Sequence, residues 1–302
     1  MGELKKVKAS MMNAIHDLPL LVARDEGFFH DEGLEVDVLV TPGSGQHNSD
    51  DRALKDDIFK RGLEATYDQG QCDQFRMCEW GIMKRAVETI QEKNLRPAKI
   101  VALGSAMSSF AIVVDPRSGI YEPEQLKNVP IAVSQFNGSH FTMLKMMEGF
   151  IKRDEIKIAN HGTHRQRMEA VMSGQVKAAS LQEPWISVAE AKGARVSMES
   201  HSTRSEAAGD EMDGPTLAKM FRAEARAAEA IQKNPEKYAH YIVEEAGGMI
   251  GLNDLKLSRI LNAPPAPYTR ERFEDNYNWT LSWGLVPPGA TYENTVDNRA
   301  WH

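Results

Sequence analysis

The sequence has few cysteines, no long apolar run and no excess of positive charge. Cys72 and Cys78 are the only cysteines among 302 residues, which excludes a disulfide scaffold and a cysteine-rich zinc or iron–sulfur site. No apolar stretch approaches the roughly 20 residues that a helix needs to cross a bilayer. A net charge of −7 argues against nucleic acid or an anionic membrane as the main partner, since both require a basic surface.

Motifs for common cofactors are also missing. The sequence contains neither a Gly-x-Gly-x-x-Gly nor a Walker A pattern, so neither a dinucleotide nor a nucleoside triphosphate is predicted. His161 and His164 are three residues apart, but no third ligand and no His-Glu-x-x-His pattern accompanies them. We therefore expect no metal and no cofactor.

The N-terminus predicts no export signal. It reads Met-Gly-Glu-Leu-Lys-Lys-Val-Lys, and polar residues interrupt the sequence that follows. A signal peptide needs an unbroken apolar stretch and a small-residue cleavage site. The sequence as written is expected in the cytoplasm, and a periplasmic location is expected if Met1 replaces a removed signal.

Strand-like and helix-like segments alternate along the chain, which is typical of an α/β protein with mainly parallel strands. Strands are predicted at residues 6–10 and 34–40, on either side of a helix over residues 18–29 that Asp17 could cap. Residues 41–56 are rich in Gly, Asn, Ser and Asp and are predicted to form an exposed loop.

The remaining pattern predicts two lobes, in agreement with the chain length. Further strands are predicted at residues 99–103, 110–114, 129–134, 156–159, 177–181 and 194–199. Further helices are predicted at residues 78–92, 121–127, 142–153, 165–173, 186–192, 215–230 and 235–245. We predict one discontinuous lobe from residues 1–105 and 205–302, and a second lobe from residues 106–204. Both connections are short and serine-rich, which suits a hinge.

Four segments carry a family resemblance. Residues 18–36 read Leu-Pro-Leu-Leu-Val-Ala-Arg-Asp-Glu-Gly-Phe-Phe-His-Asp-Glu-Gly-Leu-Glu-Val, and residues 121–134 contain Tyr-Glu-Pro-Glu-Gln-Leu-Lys before Val-Pro-Ile-Ala-Val-Ser. Residues 168–176 read Met-Glu-Ala-Val-Met-Ser-Gly-Gln-Val, and residues 183–185 read Glu-Pro-Trp. In order and spacing they resemble the type 2 periplasmic-binding-protein fold, in particular the alkanesulfonate, nitrate and thiamine-pyrimidine binding proteins of ABC uptake systems. The resemblance implies an α/β protein of two lobes, each a mainly parallel sheet flanked by helices, with a cleft between them.

One segment is similar to an enzyme built on the same fold. Residues 66–69, Thr-Tyr-Asp-Gln, match the corresponding place in biphenyl sulfinate desulfinase, a cytosolic lyase. The positions of that enzyme's cysteine, histidine and arginine are occupied here by Ala14, Glu64 and Gln74. Desulfination by that mechanism is therefore not expected.

Candidate site residues lie in loops after strands, because strand ends face the cleft in this kind of sheet. After the first strand, Asn13 and His16 could hydrogen-bond to a ligand, and His16 could transfer a proton. The alternative is an ordinary loop histidine. Within residues 67–80, Tyr67 offers an aromatic wall, Asp68 a carboxylate and Arg76 a planar fork for a carboxylate, sulfonate or phosphate.

Cys72 is the candidate nucleophile of an enzyme, provided that a nearby base lowers its pKa. The alternative is that both cysteines are small buried hydrophobes. Cys78 is of interest because it begins a predicted helix. His16 with Glu64, Asp68 or Cys72 is a possible acid–base pair if folding brings them together.

The other candidates lie at three later positions. Ser105 is at the first connection between lobes. Asn137, Ser139 and His140 are at a turn before a helix, where free N–H groups and the helix dipole favour an anion. Glu183 could bind an amine and Trp185 could stack on a flat ligand, or both could belong to a structural turn. Arg204, at the second connection, could reach an anion, although a surface arginine is the favoured interpretation.

Three functions remain open. The first is a binding protein that closes its lobes on a small anionic or aromatic organic ligand (a sulfonate, carboxylate or pyrimidine) and works with an ABC permease if exported. The second is a cytosolic lyase or hydrolase acting on a small organic acid, and the third is a cytosolic sensor. The oligomeric state and the ligand are not predicted.

Overall fold

The computed structural model describes residues 3–40, 62–91 and 95–302. The loop predicted at residues 41–56 lies outside these ranges. None of the described helices is long and apolar enough to cross a membrane.

Strands and helices alternate through most of the described chain. The strands are β1 Lys5–Met11, β2 Leu34–Val40, β3 Gln74–Cys78, β4 Lys99–Val114, β5 Pro130–Val133, β6 Lys157–Asn160, β7 Ala178–Gln182, β8 Arg195–Ala208 and β9 Leu261–Asn262. The helices are α1 Ala14–Asp25, α2 Phe28–Asp31, α3 Gly62–Asp68, α4 Glu79–Gln91, α5 Gly138–Met147, α6 His164–Ser173, α7 Trp185–Ala191, α8 Gly214–Lys233, α9 Pro235–Tyr238, α10 His240–Glu245, α11 Arg270–Ser282 and α12 Tyr292–Thr295. Residues predicted as a helix at 121–127 form a 3₁₀ turn over Pro123–Leu126.

The strands form one mixed sheet in the order β2-β1-β3-β8-β4-β7-β5-β6, with β9 paired to β4. At one end, β1 runs parallel to β2 and β3. At the other end, β5 runs parallel to β6 and β7. The two parallel regions are joined by β4 and β8, which pair antiparallel with each other and with their outer neighbours. The predicted parallel regions are therefore confirmed, and an antiparallel pair connects them.

The central strands β4 and β8 are longer than the sequence predicts. The predicted strands at residues 99–103 and 110–114 are parts of one strand, because the backbone of β4 continues to pair with β8 through the serine-rich segment between them. Register shifts between Leu103 and Met107 absorb the irregularity. Both connections between the lobes are thus strands in the sheet.

Helix α1 begins four residues before the predicted start, so the proposed cap at Asp17 is wrong. Asn13 caps the helix, and its Oδ1 accepts a hydrogen bond from the backbone N–H of His16 at 3.1 Å. Asp17 lies inside α1 with non-helical φ −125° and ψ 16°, two residues before Pro19. The proline therefore falls just after a kink.

Strand β3 was not predicted. All five of its residues are buried, including the polar Gln74 and Arg76. A strand covered on both faces lacks the alternation of apolar and polar residues that identifies a half-exposed strand. Its two charged or amide side chains made the segment look like a loop.

Four hydrophobic clusters cover the sheet. Two contain β1, α1, α8 and the segments around β3 and α4. The other two contain β5, β7, α5, α6 and α7. The clusters follow the predicted lobes, apart from C-terminal residues such as Ala246, Ile250 and Leu285 that pack on the second lobe. The lobe boundaries at residues 105/106 and 204/205 stay a prediction, because β4 and β8 cross them without a break.

Candidate functional site

The end of β1, the start of α5 and the two crossing strands meet at Arg204. This arginine lies in β8 and is 2 % exposed. Its Nη2 is 3.8 Å from Sδ of Met12, which follows β1. A methyl group added at Gly138, the first residue of α5, would lie 4.0 Å from Nη1 of Arg204 and 3.4 Å from Cζ of Phe110. We call this junction of Met12, Phe110, Gly138 and Arg204 the cleft.

The burial of Arg204 corrects the expectation of a surface arginine. Its backbone pairs with Cys78 at the end of β3, and β4 covers the other edge of β8. The residue is therefore in the middle of the sheet, between the two lobes. The sequence offers one signal for this position, a serine-rich connection that the fold places opposite strand ends.

Side chains of the first turn hold the start of α5 in place. Oδ1 of Asn137 accepts hydrogen bonds from the backbone N–H of Ser139 at 2.9 Å and from its Oγ at 2.6 Å. Oγ of Ser139 in turn accepts from the backbone N–H of Ser134 at 3.2 Å. Because Gly138 has no side chain, the helix terminus comes close to Arg204. Ligand binding by Asn137 and Ser139 remains a prediction.

His140 is neutral and has a defined tautomer. Burial lowers its pKa to about 4. Its Nδ1 accepts a hydrogen bond from the backbone N–H of Phe136 at 3.1 Å, so the ring proton is on Nε2. Phe136 has a φ of 58°, in the left-handed region that few non-glycine residues adopt. The turn before α5 is therefore strained and is fixed by this histidine.

The start of α1 is satisfied by carboxylates of the protein itself. Oδ2 of Asp17 accepts hydrogen bonds from the N–H groups of Met12 at 2.7 Å and Asn13 at 3.2 Å. Oε1 of Glu245, in α10, accepts from the N–H of Ala14 at 2.5 Å. Burial raises the pKa of Glu245 to about 7. This wall of the cleft is therefore acidic, and sequence reasoning did not single out Glu245.

His16 lies in the first turn of α1 and is 3 % exposed, whereas the sequence suggested a loop position. Its proposed acid–base partners Glu64 and Asp68 are elsewhere, because both contact Arg85 of α4. The structure therefore does not bring the proposed pairs of His16 with Glu64 or Asp68 together at the cleft.

Arg76 and Ser105 belong to a buried ionic cluster beneath the cleft. Nε of Arg76 is 2.5 Å from Oε1 of Glu206, its Nη2 is 2.5 Å from Oε1 of Glu224, and its Nη1 is 3.2 Å from Oδ1 of Asp17. Oγ of Ser105 donates to Oε2 of Glu224 at 3.0 Å. Burial opposes the charge of Arg76, but its carboxylate partners raise its pKa. Burial also raises the pKa of Glu206, to about 7.

Tyr67 and Asp68 lie in a different cluster, at the end of α3. Tyr67 is fully buried against Phe75, and its hydroxyl donates to the carbonyl of Pro97 at 2.7 Å. Asp68 forms an ion pair with Arg85 and accepts from the N–H of Arg96 at 3.1 Å. These contacts support the core of the first lobe, and any direct role in binding stays a prediction.

Both cysteines are buried, and we expect them to be unreactive in the folded protein. Cys72 is 1 % exposed, and burial raises its pKa to about 11. Cys78 is also 1 % exposed. Incubation with a maleimide at pH 8, followed by mass spectrometry, should show no labelling of native protein within minutes and two labels in urea. Rapid native labelling at Cys72 would contradict this expectation and support a nucleophilic cysteine.

Glu183 and Trp185 follow β7. Glu183 is fully buried and precedes a cis proline. It accepts hydrogen bonds from the N–H of Ser187 at 3.2 Å and its Oγ at 3.0 Å, and it pairs with Nη1 of Arg259 at 3.1 Å. Trp185 is half-buried and packs on the second lobe's core. The carboxylate of Glu183 thus fixes the turn, and amine binding by this residue is a prediction that no contact supports.

Arg167 provides an uncompensated positive charge in the second lobe. It is 1 % exposed, and it donates to the carbonyls of Ser180 at 3.0 Å and Gly162 at 2.5 Å. Its Nη2 donates to Nδ1 of His164 at 2.7 Å, and that ring is 6.1 Å from the ring of Phe110 in the cleft. Burial lowers the pKa of Arg167 to about 9. No carboxylate of the described residues pairs with it.

The arrangement can bind and orient a small molecule between two walls of opposite charge. The wall at α1 contains Asp17 and Glu245, and the opposite wall contains Arg204, the terminus of α5 and, behind His164, Arg167. Within residues 3–40, 62–91 and 95–302, no group of three or more His, Cys, Asp or Glu side chains is placed to hold a metal ion.

Two α/β regions joined by two strands, with strand ends meeting at a buried arginine between them, have the architecture of a type 2 periplasmic binding protein. The structure of the aliphatic sulphonate binding protein SsuA from Escherichia coli superposes with a TM-score of 0.73, at 14% identity over 100% of both chains. The nitrate-binding protein NrtA from Synechocystis PCC 6803 superposes with a TM-score of 0.71, at 13% identity over 95% of this chain and 84% of that chain.

An enzyme of the same fold is also similar. DszB, solved in complex with biphenyl-2-sulfinic acid, has a TM-score of 0.62 at 14% identity over 96% of both chains. No protein-family model and no curated protein sequence matches the chain. The structural similarities confirm the predicted two-lobed periplasmic-binding-protein fold.

Proposed function

We propose that the protein is a small-molecule binding protein that closes its two lobes on an anionic organic ligand at the cleft. The observation that carries the proposal is the position of Arg204, buried in a crossing strand beside the start of α5 and the end of β1. An arginine at this place can contact a ligand held by either lobe. Guanidinium and helix N-terminus both favour a carboxylate, sulfonate or similar oxyanion.

The second lobe adds a positive potential. The charge of Arg167 is held by carbonyl oxygens and a neutral histidine nitrogen, so no described carboxylate cancels it. Charges in a low-dielectric interior act over longer distances than charges in water. Arg167 therefore attracts an anion to the wall formed by His164 and Phe110 without contacting it.

The similar binding proteins extend the proposal to partners. SsuA and NrtA are described as periplasmic binding proteins for sulphonate and nitrate. A protein of this type delivers its ligand to an ABC permease. We propose the same partner for an exported form of this chain, with the periplasm as its location.

Removal of the charge at Arg204 should weaken binding of anions. Charge-assisted hydrogen bonds contribute about 1.5–3 kcal/mol each, so Arg204→Gln should raise the Kd for a bound sulfonate or carboxylate about 10- to 100-fold. The measurement is isothermal titration calorimetry with ethanesulfonate, butyrate and the uncharged butyramide. Wild-type protein should bind the two anions and should not bind butyramide.

Two further variants separate binding from folding. Gly138→Ala places a methyl group at ordinary contact distance from Phe110, so it should fold normally yet weaken binding by occupying space beside Arg204. Arg195→Gln is the matched control, because Arg195 lies at the other end of β8 and contacts the carbonyl of Ile120. It should leave Kd unchanged. Equal binding of anions by wild type, Arg204→Gln and Gly138→Ala would reject the proposal.

A further inference from the structure

The carboxylate of Glu245 lies at the edge of the cleft. Its Oε1 accepts the N–H of Ala14, the first residue of α1. The first N–H groups of a helix point beyond its N-terminus, so their acceptor lies off that end of the helix. In α1 this end follows directly from β1 and Met12, which contacts Arg204. Glu245 therefore lies at the cleft, although α10 is far from α1 in sequence.

Glu245 has an oxygen left for another donor. Only Oε1 forms a hydrogen bond with the described residues, and the residue is half-buried. A carboxylate can accept several hydrogen bonds, so Oε2 remains an acceptor for a ligand. The sequence analysis had assigned an amine-binding carboxylate to Glu183, whose oxygens are engaged by Ser187 and Arg259.

Glu245 and Arg204 flank one short piece of chain. Arg204 contacts the side chain of Met12, and Glu245 contacts the backbone of Ala14. Two residues of fully extended chain span at most about 7 Å. The cleft thus presents a cation and an anion at a separation that a small organic molecule can bridge.

The groups around Glu245 reinforce its negative charge. Asp17 on α1 faces it and raises its pKa, in addition to the larger effect of burial. His16 is on the same face of α1, and Arg76, Glu206 and Glu224 lie behind Asp17. On α10 itself, the titratable neighbours are His240, Tyr241 and Glu244. Arg76 balances only one of the three carboxylates that it contacts, so the α1 wall keeps an acidic character.

We propose that the ligand is a zwitterion, with a protonated amine on Glu245 and an anionic group at Arg204 and the start of α5. This inference rests on the proposed function and specifies its ligand class. An ammonium group a few bonds from a sulfonate or carboxylate fits the separation of the two side chains. A plain anion of the same length leaves Glu245 without a partner and is repelled by it.

The test compares ligands that differ only in the amine. Wild-type protein is titrated calorimetrically at pH 8 with 2-aminoethanesulfonate and with ethanesulfonate, and then with 4-aminobutyrate and butyrate. We expect the amino compound of at least one pair to bind about tenfold more tightly or better. In Glu245→Gln the amide still accepts the N–H of Ala14, but the preference should disappear and ethanesulfonate or butyrate should bind more tightly.

The pH dependence gives an independent readout. Ionised Glu245 attracts an ammonium group and repels a plain anion. With a pKa of about 7, its ionised fraction falls about tenfold between pH 8 and pH 6. The Kd of the amino ligand should therefore rise by up to about tenfold over this interval, whereas the Kd of the plain anion should fall.

Glu244→Gln is the matched control, because Glu244 is an exposed neighbour on the same helix. It should keep the preference of the wild type. Equal affinity of wild type for both members of each pair, or a preference that survives in Glu245→Gln, would overturn the zwitterion while leaving anion binding intact. Absence of binding by all four compounds, in both wild type and Glu245→Gln, would reject the proposed function together with it.

Discussion

Arg76→Met should lower the free energy of unfolding by about 3–5 kcal/mol, because it leaves three carboxylates in the interior without their shared cation. Arg76 is 4 % exposed and contacts Asp17, Glu206 and Glu224. Methionine fills much of the same space, so the loss is electrostatic. Urea unfolding at pH 8, followed by circular dichroism, gives the difference.

The control for this variant is Arg222→Met. Arg222 is exposed and pairs with Glu32 on the surface, where solvent screens the charges. Its removal should change the unfolding midpoint much less. A loss of stability by Arg76→Met no larger than that of Arg222→Met would show that the buried carboxylates are protonated or hydrated when folded.

Arg259→Met is expected to lower the free energy of unfolding by about 3 kcal/mol at pH 8. Arg259 is 2 % exposed and pairs with Glu183 at 3.1 Å, Glu190 at 2.6 Å and Glu199 at 2.9 Å. It connects the C-terminal part of the chain to the second lobe. Its loss leaves Glu183 fully buried with hydrogen bonds from Ser187 alone.

The effect of Arg259→Met should shrink in acid. Burial raises the pKa of Glu183 above its ordinary value, and Arg259 opposes this rise. Without Arg259 the folded-state pKa rises further, so the folded variant takes up a proton at a pH where the unfolded chain does not. The stability difference from wild type should be largest near pH 8 and smaller near pH 5.

Urea titrations at several pH values measure the difference, with Lys256→Met as the control. Lys256 pairs with Glu190 on the same segment but is exposed. Its variant should show a small loss with little dependence on pH between 5 and 8. A constant loss across this range for Arg259→Met would mean that Glu183 does not govern the effect.

Local patterns were sufficient for much of the fold. The apolar alternation of residues 34–40 predicts β2 with its observed bounds, and the strands β5, β6 and β7 differ from their predictions by a residue or two at each end. These strands have one pattern along their whole length. In β4, by contrast, Gly104 and Ser105 interrupt the apolar run, and only the pairing with β8 shows that the strand continues.

The site was harder to predict, because the partner of a charged residue is not visible in the sequence. Arg76 resembles a ligand-binding arginine by residue type, yet Glu206 and Glu224 are 130 and 148 residues away along the chain. Glu245 is 231 residues from Ala14. The rule that loops follow strand ends did place residues 137–140 beside Arg204. It could not show which side chains the fold itself would use.

The pairing of β4 with β8 has a consequence for how such a protein can be altered. Leu103 and Ser205 are opposite each other on neighbouring strands, so the chain leaves and returns to the first lobe side by side. Residues 106–204 are therefore attached like an insert with adjacent ends. Recombination at this single point could exchange the entire arginine-bearing wall that contains Arg167 while keeping Glu245, and so assemble new pairs of charges from existing halves.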